Sequence, residues 1–371
     1  MPSATNQPYV SEGMPPLDLG KKNTSFFEFW PTWAMYLPVT IQWLFLSLRY
    51  RSITLPLVAN PNLPLSGMVG VPKSELLAQA GETINRYILP WFTHKITNQA
   101  LARQALQIET LMNKQQLDYP IVCKPDIGCR GSGVKLIQNR PQLEKTLAHY
   151  PLDASCMIQK LADYEPEAGL FYIREPNSTN GQIISLALKY TPYVMGDGLS
   201  TLEELVSNDP RAGELIHLYE SRHQHNWKKV ISAGEAYKLV FSASHCRGAI
   251  FKNASHHITN DLSQKIDHLM KDIPNFHYGR LDIKFKNIET FELGKHLQIV
   301  EINTASSESL HIWDANTSFF EAIRSLMFQY RTLFKFGAQN RKLGYKTPTI
   351  KELVQRWKIE KQLTLKYPET D

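Results

Sequence analysis

The feature that most restricts this chain is a series of short apolar runs from Tyr119 to Asn303. They read YPIVCKP, GVKLIQ, SCMIQKL, GLFYIRE, GQIISLALKYTPY, YKLVFSA, GRLDIKF and LQIVEIN. Each has the length of a β-strand, and glycine loops separate many of them. Helical stretches intervene at 141–149, 200–207, 211–221 and 260–271. The pattern predicts an α+β core that runs to about residue 316, with no internal repeat.

Both ends differ from this core. Residues 1–24 are polar, with Gly13, Pro15 and Pro16, and read as a loose arm. The stretch 25–117 is rich in aromatics and proline; Ser74–Leu89 (capped by Ser74) and 98–117 read as its helices. The core is expected over 118–317. A basic tail over 318–371 carries helices at Ser318–Phe336 and 349–363. Net charge is +6, but residues 324–371 alone hold +7, so the rest sums to −1. That is too little charge for a nucleic-acid arm, and no nucleic-acid partner is expected.

Residues 26–48, FFEFWPTWAMYLPVTIQWLFLSL, are the most apolar segment. Pro31 and Pro38 break a spanning helix, and only ten residues separate Pro38 from Arg49. Two readings stay open: an interfacial segment at a membrane surface, or a buried helical hairpin or subunit contact. A homodimer is therefore a candidate assembly. Cys123, Cys129, Cys156 and Cys246 include no CxxC pair and suit reduced thiols in the cytoplasm. The expected location is cytoplasmic, with the inner face of the membrane as the peripheral alternative. His223, His225, His256 and His257 match no zinc spacing.

The strongest chemical signal is Gly279–Lys284, GRLDIK, followed by Gln298–Asn303, QIVEIN. Alternate residues of a strand share a face. Arg280, Asp282 and Lys284 then point one way, with Leu281 and Ile283 in the core. Glu301 and Asn303 share a face, with Val300 and Ile302 buried. If the strands are neighbours, two carboxylates and an amide oxygen converge, a donor set suited to Mg²⁺. A second signal is Lys124 at a strand end, followed by a loop with Gly128, Gly131 and Gly133. Such a loop lets backbone N–H groups approach phosphate. It lacks the GK[ST] of a P-loop. The runs Met157–Leu161 and Ala187–Tyr190 complete the series.

In this order, these motifs resemble the ATP-grasp superfamily over roughly residues 119–316, with D-alanine–D-alanine ligases as the nearest familiar pattern. The FEFWP-type start, GDGLSTLEEL and SES-x-HIWD resemble an uncharacterised bacterial branch of it. The resemblance implies two α+β subdomains gripping ATP, a remodelled N-terminal region and an ADP-forming carboxylate–amine ligase. Lys124 and Lys189 would contact phosphates, and Gly128, Arg130, Gly131, Ser132 and Gly133 would form the lid. Gln159, Lys160 and Leu161 would line the adenine hinge. Glu167 would hold the ribose, with Glu165 as competitor because the spacing is one residue longer. Asp282, Glu301 and Asn303 would hold one or two Mg²⁺ (or Mn²⁺). Arg280, with Lys189, would be catalytic, facing the γ-phosphate and the acylphosphate.

The chain also departs from that pattern. No GGxSxE-type motif occurs in its first hundred residues. Glu308 follows the metal strand, where a carboxylate-receiving site would carry no acid, and it suits an amine by opposite charge. Candidate substrate residues are Tyr172, Arg174, Arg247, Ser307, Glu308 and His311. The expected partners are a small-molecule carboxylate and an amine. An ATP-grasp kinase and a non-ligating nucleotide-binding module remain as alternatives.

Overall fold

The computed structural model describes residues 8–18, 25, 30–128, 131–242, 244, 247–368 and 370. Among them the strands are β1 Trp91–Lys95, β2 Ile121–Pro125, β3 Lys135–Ile137, β4 Ser155–Lys160, β5 Glu167–Ile173, β6 Gln182–Tyr190, β7 Tyr193–Met195, β8 Ala236–Lys238, β9 Ile250–Asn253, β10 Tyr278–Phe285 and β11 Leu297–Asn303. They pair antiparallel in three sheets, β1-β4-β2-β3, β11-β10-β5-β6-β9 and β7-β8. The α+β class expected from the sequence is what the structure shows.

The larger sheet has one face in the main core. Leu281, Ile283 and Phe285 of β10 are fully buried there, as are Ala168 and Leu170 of β5. The helix Asn260–Lys271 lays Leu262, Ile266, Leu269 and Met270 on that core. Apolar positions three and four apart form one helical face, so this helix covers the sheet. The alternate residues of β10 are left for the opposite face.

The region before residue 118 is part of this architecture. Strand β1, absent from the sequence-based expectation, pairs with β4 in register Trp91↔Gln159. The smaller sheet therefore draws on both sides of the expected boundary at 118. Asn60 clamps the start of β10: its Oδ1 accepts from the amides of His277 (2.8 Å) and Tyr278 (3.0 Å), and its Nδ2 donates to the Tyr278 carbonyl. The expected helix Ser74–Leu89 is instead two short helices, Lys73–Leu77 and Glu82–Asn85. Ser74 does not cap; its hydroxyl donates to Asp126 at 2.7 Å. Met14 and Leu17 are buried in the main core, so residues 8–18 are packed rather than loose. Residues 1–7 and 19–24 of the expected arm lie outside the described residues.

Thr32–Tyr50 is one helix that continues through Pro38. Met35, Val39 and Leu46 are buried on one side, against the helix Phe319–Lys342. Trp43 stacks edge-on to Phe334 at 5.2 Å between ring centres. The opposite side exposes Trp33, Leu37, Ile41, Leu44, Phe45 and Leu48, the last 80% accessible. The expected break at Pro31 stands, since the helix starts directly after it; the break at Pro38 is corrected, because Pro38 costs one hydrogen bond without ending the helix. The buried-hairpin reading is corrected as well, because this is a single half-exposed helix. Among the described residues, no helix is long and apolar enough to cross a membrane.

Candidate active site

The two larger sheets face a cavity of about 1130 Å³. Its polar floor is built by β10 and β11, which pair Asp282↔Glu301 and Arg280↔Asn303. The two strands suspected from the sequence are therefore neighbours, and their side chains meet. Asp282 Oδ1 accepts from Arg280 Nε at 2.7 Å, and its Oδ2 accepts from Arg280 Nη2 (3.1 Å) and Asn303 Nδ2 (3.2 Å). A planar guanidinium suits such two-point contact with a carboxylate.

A register shift follows Asp282. It places Val300 in the cavity wall, whereas simple alternation predicts Val300 in the core; Ile299 is buried instead. Bulges of this kind re-aim backbone groups. The Val300 carbonyl accepts from Lys124 Nζ and from Gln159 Nε2, each at 3.2 Å. Lys124 Nζ also donates to Gln159 Oε1 at 2.7 Å. One carbonyl of β11 thus receives side chains from β2 and β4, linking the two sheets at the site.

Lys124 is buried, and burial lowers its ammonium to about 8, with Lys73 pushing the same way and Glu301 opposing. Glu301 meets Lys73 at 3.7 Å. Burial would raise the Glu301 carboxyl, but Lys73, Lys124 and Arg280 outweigh it and hold it below the ordinary range. Glu167 accepts from Lys189 at 2.5 Å and pairs with Lys284 at 3.1 Å. Burial again opposes, yet the two lysines bring Glu167 down to about 2. The site therefore sets several cations against the carboxylates of Glu167, Asp282 and Glu301, before any ligand is considered. Its competitor Glu165 also lines the cavity, paired there with Lys238 at 2.8 Å.

The expected residues divide as follows. Lys124, Gly128, Gly131, Ser132, Gln159, Lys160, Leu161, Glu167, Lys189, Arg280, Asp282, Glu301 and Asn303 all line the cavity, as do Ser307 and Glu308. Gly131 has φ +69°, a backbone state that favours glycine. Gly133 is turned away, against Pro125 and Tyr367. Arg130 lies outside the described residues. Tyr172 is corrected: it is fully buried in the main core, donates to Asp267 at 2.7 Å and does not line the cavity. Arg174 is corrected too, since it donates to the Phe276 carbonyl at the far end of β5. His311 faces Ser325 on the helix Phe319–Lys342. Arg247 is not in the wall but holds the glycine loop, donating to the Gly131 carbonyl at 2.9 Å.

Lys73 and Lys284 were not among the expected site residues. Lys284 had a signal, the same strand face as Arg280 and Asp282. Lys73 had none, because it comes from before residue 118, where no site motif was expected. The C-terminal tail was missed as well. Tyr367 donates to the Ile127 carbonyl at 2.6 Å, and Thr370 donates to the Gly131 carbonyl at 2.7 Å. Arg356 and Glu360 bracket Gly70 at the cavity mouth.

The donor set Asp282, Glu301 and Asn303 fits a hard divalent cation. Among the described residues there is no cluster of three His, Cys, Asp or Glu. Mg²⁺ needs none, since it takes one or two carboxylates and completes its shell with water and phosphate. These carboxylates, Arg280 and the lysines line one cavity between two antiparallel sheets.

No family model matches the chain. Cyanophycin synthetase from Synechocystis sp. (strain ATCC 27184 / PCC 6803 / Kazusa) is 26% identical over 222 residues, covering 52% of this chain and 24% of that protein. The chain thus spans about a quarter of the length of that relative. Among solved structures, the bifunctional glutathione synthetase from Pasteurella multocida aligns at 13% identity and TM-score 0.36, over 73% of this chain and 38% of its own. The D-alanine–D-alanine ligase from Bacillus anthracis aligns at 12% and 0.39, over 74% of each chain. That from Coxiella burnetii aligns at 8% and 0.37, over 79% of this chain and 66% of its own. All four are ATP-grasp enzymes.

Proposed function

We propose that this chain is an ATP-dependent ligase that joins a small-molecule carboxylate to an amine and releases ADP and phosphate. The observation that carries the reading is the convergence of Asp282, Glu301 and Asn303 with Arg280, Lys124 and Lys189 in one cavity. Lys124 and Lys189 would hold the nucleotide phosphates, and Gln159 with Leu161 would face the adenine. Glu167 would exchange its lysine partners for the ribose. Asp282, Glu301 and Asn303 would hold Mg²⁺, which supplies charge neutralisation on the phosphates. Arg280 lies beside this set, placed to stabilise charge on the transferring phosphoryl group. A carboxylate oxygen attacks the γ-phosphorus, the bond to the ADP oxygen breaks, and an acylphosphate forms. The glycine loop would exclude water from that labile group.

Incubation with Mg-ATP and pools of carboxylic acids and amines tests this. Equal yields of ADP, free phosphate and an amide are expected. A stable phosphorylated product would replace the ligase reading with a kinase, and ATP binding without turnover would replace it with a binding module.

We infer further that the exposed face of the helix Thr32–Tyr50 rests on an anionic lipid surface. No acidic residue occurs between Trp30 and Arg51. Residues 30–51 and 319–342 together carry a net +6, as much as the whole chain. Two copies joined through this face would bring like charges together, whereas anionic headgroups complement it. The full chain is expected to float with vesicles of mixed phosphatidylglycerol and phosphatidylcholine. A variant with Trp33→Glu, Ile41→Glu and Leu48→Glu should stay in the pellet fraction, still folded because those side chains are exposed. Failure of the wild type to float, or a dimer that this variant dissociates, would overturn the assignment.

A further inference from the structure

We propose that Glu308 takes the proton from an ammonium nucleophile, so that the second substrate enters as a primary amine. The inference rests on the ligase reading and adds a base to it. Glu308 lies in the cavity wall, in the segment that follows β11, next to Ser306 and Ser307. Its main-chain carbonyl accepts from Arg280 Nη1 at 3.1 Å. The same guanidinium holds Asp282, so Glu308 is fixed relative to the group that would read the acylphosphate.

Arg280, Lys189 and Lys284, which share the cavity with Glu308, are each engaged elsewhere. Arg280 spends its Nε and Nη2 on Asp282. Lys189 and Lys284 pair with Glu167. His311 turns to Ser325, and Tyr330, from the helix Phe319–Lys342, is neutral. The indole of Trp313 donates to Glu308, and among the described residues no cation forms an ion pair with it. An anion left without a cation in a cavity wall is a place for an incoming one. Burial pushes the Glu308 carboxyl up to about 7, against the pull of Trp313. A base with affinity for protons near the working pH is the effective kind.

The step balances as follows. One ammonium proton passes to a Glu308 carboxylate oxygen. The freed nitrogen lone pair forms the C–N bond to the acyl carbon. The bond from that carbon to the phosphate oxygen breaks, and phosphate leaves with the electron pair and the second nitrogen proton.

Hydroxylamine separates this role from a structural one, because it is largely unprotonated at neutral pH and needs no base. The wild-type chain, Mg-ATP and the carboxylic acid pool are supplied with hydroxylamine or with an alkylamine and amino acid pool. In Glu308→Gln, the ratio of amide to hydroxamate should fall about 100-fold relative to wild type. Glu308→Asp should recover part of it, and in Glu308→Gln the acidic limb of the amide pH profile should move up toward the ordinary pKa of the free amine. An unchanged ratio would overturn the proposal, whether the variant keeps both activities or lowers both by the same factor. Absence of hydroxamate with the wild type would instead bring down the ligase reading, and this base with it.

Discussion

Asp282→Asn and Glu301→Gln should each lower turnover by about 10³-fold or more, since phosphoryl transfer is almost entirely positioning and charge stabilisation. Both replacements keep the side-chain shape and remove one negative charge. In Asp282→Asn the guanidinium of Arg280 loses the carboxylate it grips at two points. Breaking a buried pair from one side is destabilising, so the thermal midpoint should fall. Glu301 sits opposite Lys73 and should be milder for the fold. The check is steady-state ADP release beside Mn²⁺ titration followed by paramagnetic relaxation. Loss of turnover with intact metal affinity would move the metal elsewhere, and wild-type turnover in either variant would sink the assignment.

Lys124→Met should weaken ATP binding about 10- to 100-fold, the worth of one charge-assisted hydrogen bond to phosphate. Its effect on stability should be small at neutral pH, because two terms oppose. The fold holds Lys124 at about 8, below its ordinary 10.5, so keeping the charge is unfavourable to folding. That penalty is complete below about 8 and fades as pH rises toward 10.5. Methionine removes it but leaves Gln159 Oε1 without its donor, which costs about 1–3 kcal/mol. The wild type therefore gains stability from pH 8 to 10 and the variant does not. Thermal midpoints at pH 7 and pH 9.5 should show the variant falling behind. A difference that does not change with pH would contradict the buried ammonium.

The parts legible in the sequence were those whose signal is local. Period-two alternation in GRLDIKF and LQIVEIN was enough to put Arg280, Asp282, Glu301 and Asn303 on shared faces. Lys124 and Gln159 were marked by apolar strands that end in polar residues. What failed to show depends on distant partners. β1 reads WFTHK, too polar to announce a strand, and gains its place only by pairing with β4. Tyr172 alternates like a site residue, but the face it shares is the one covered by the helix Asn260–Lys271. The bulge at Val300 follows from the fit of β11 to β10, and no residue type in the run marks it. Pro38 was given too much weight, since tertiary packing holds the helix through it.

The bracket around Gly70 has a consequence for how the protein is made. Arg356 and Glu360 lie 286 and 290 residues further along the chain than the backbone they hold. Contacts of such separation form late, because a long loop must close before they are rewarded. On the ribosome, Asp282, Glu301 and Lys124 can assemble while residues 356–370 are still unsynthesised. A nascent chain would then carry a charged site with an unfinished rim, and the rim would close only after the last helix had emerged.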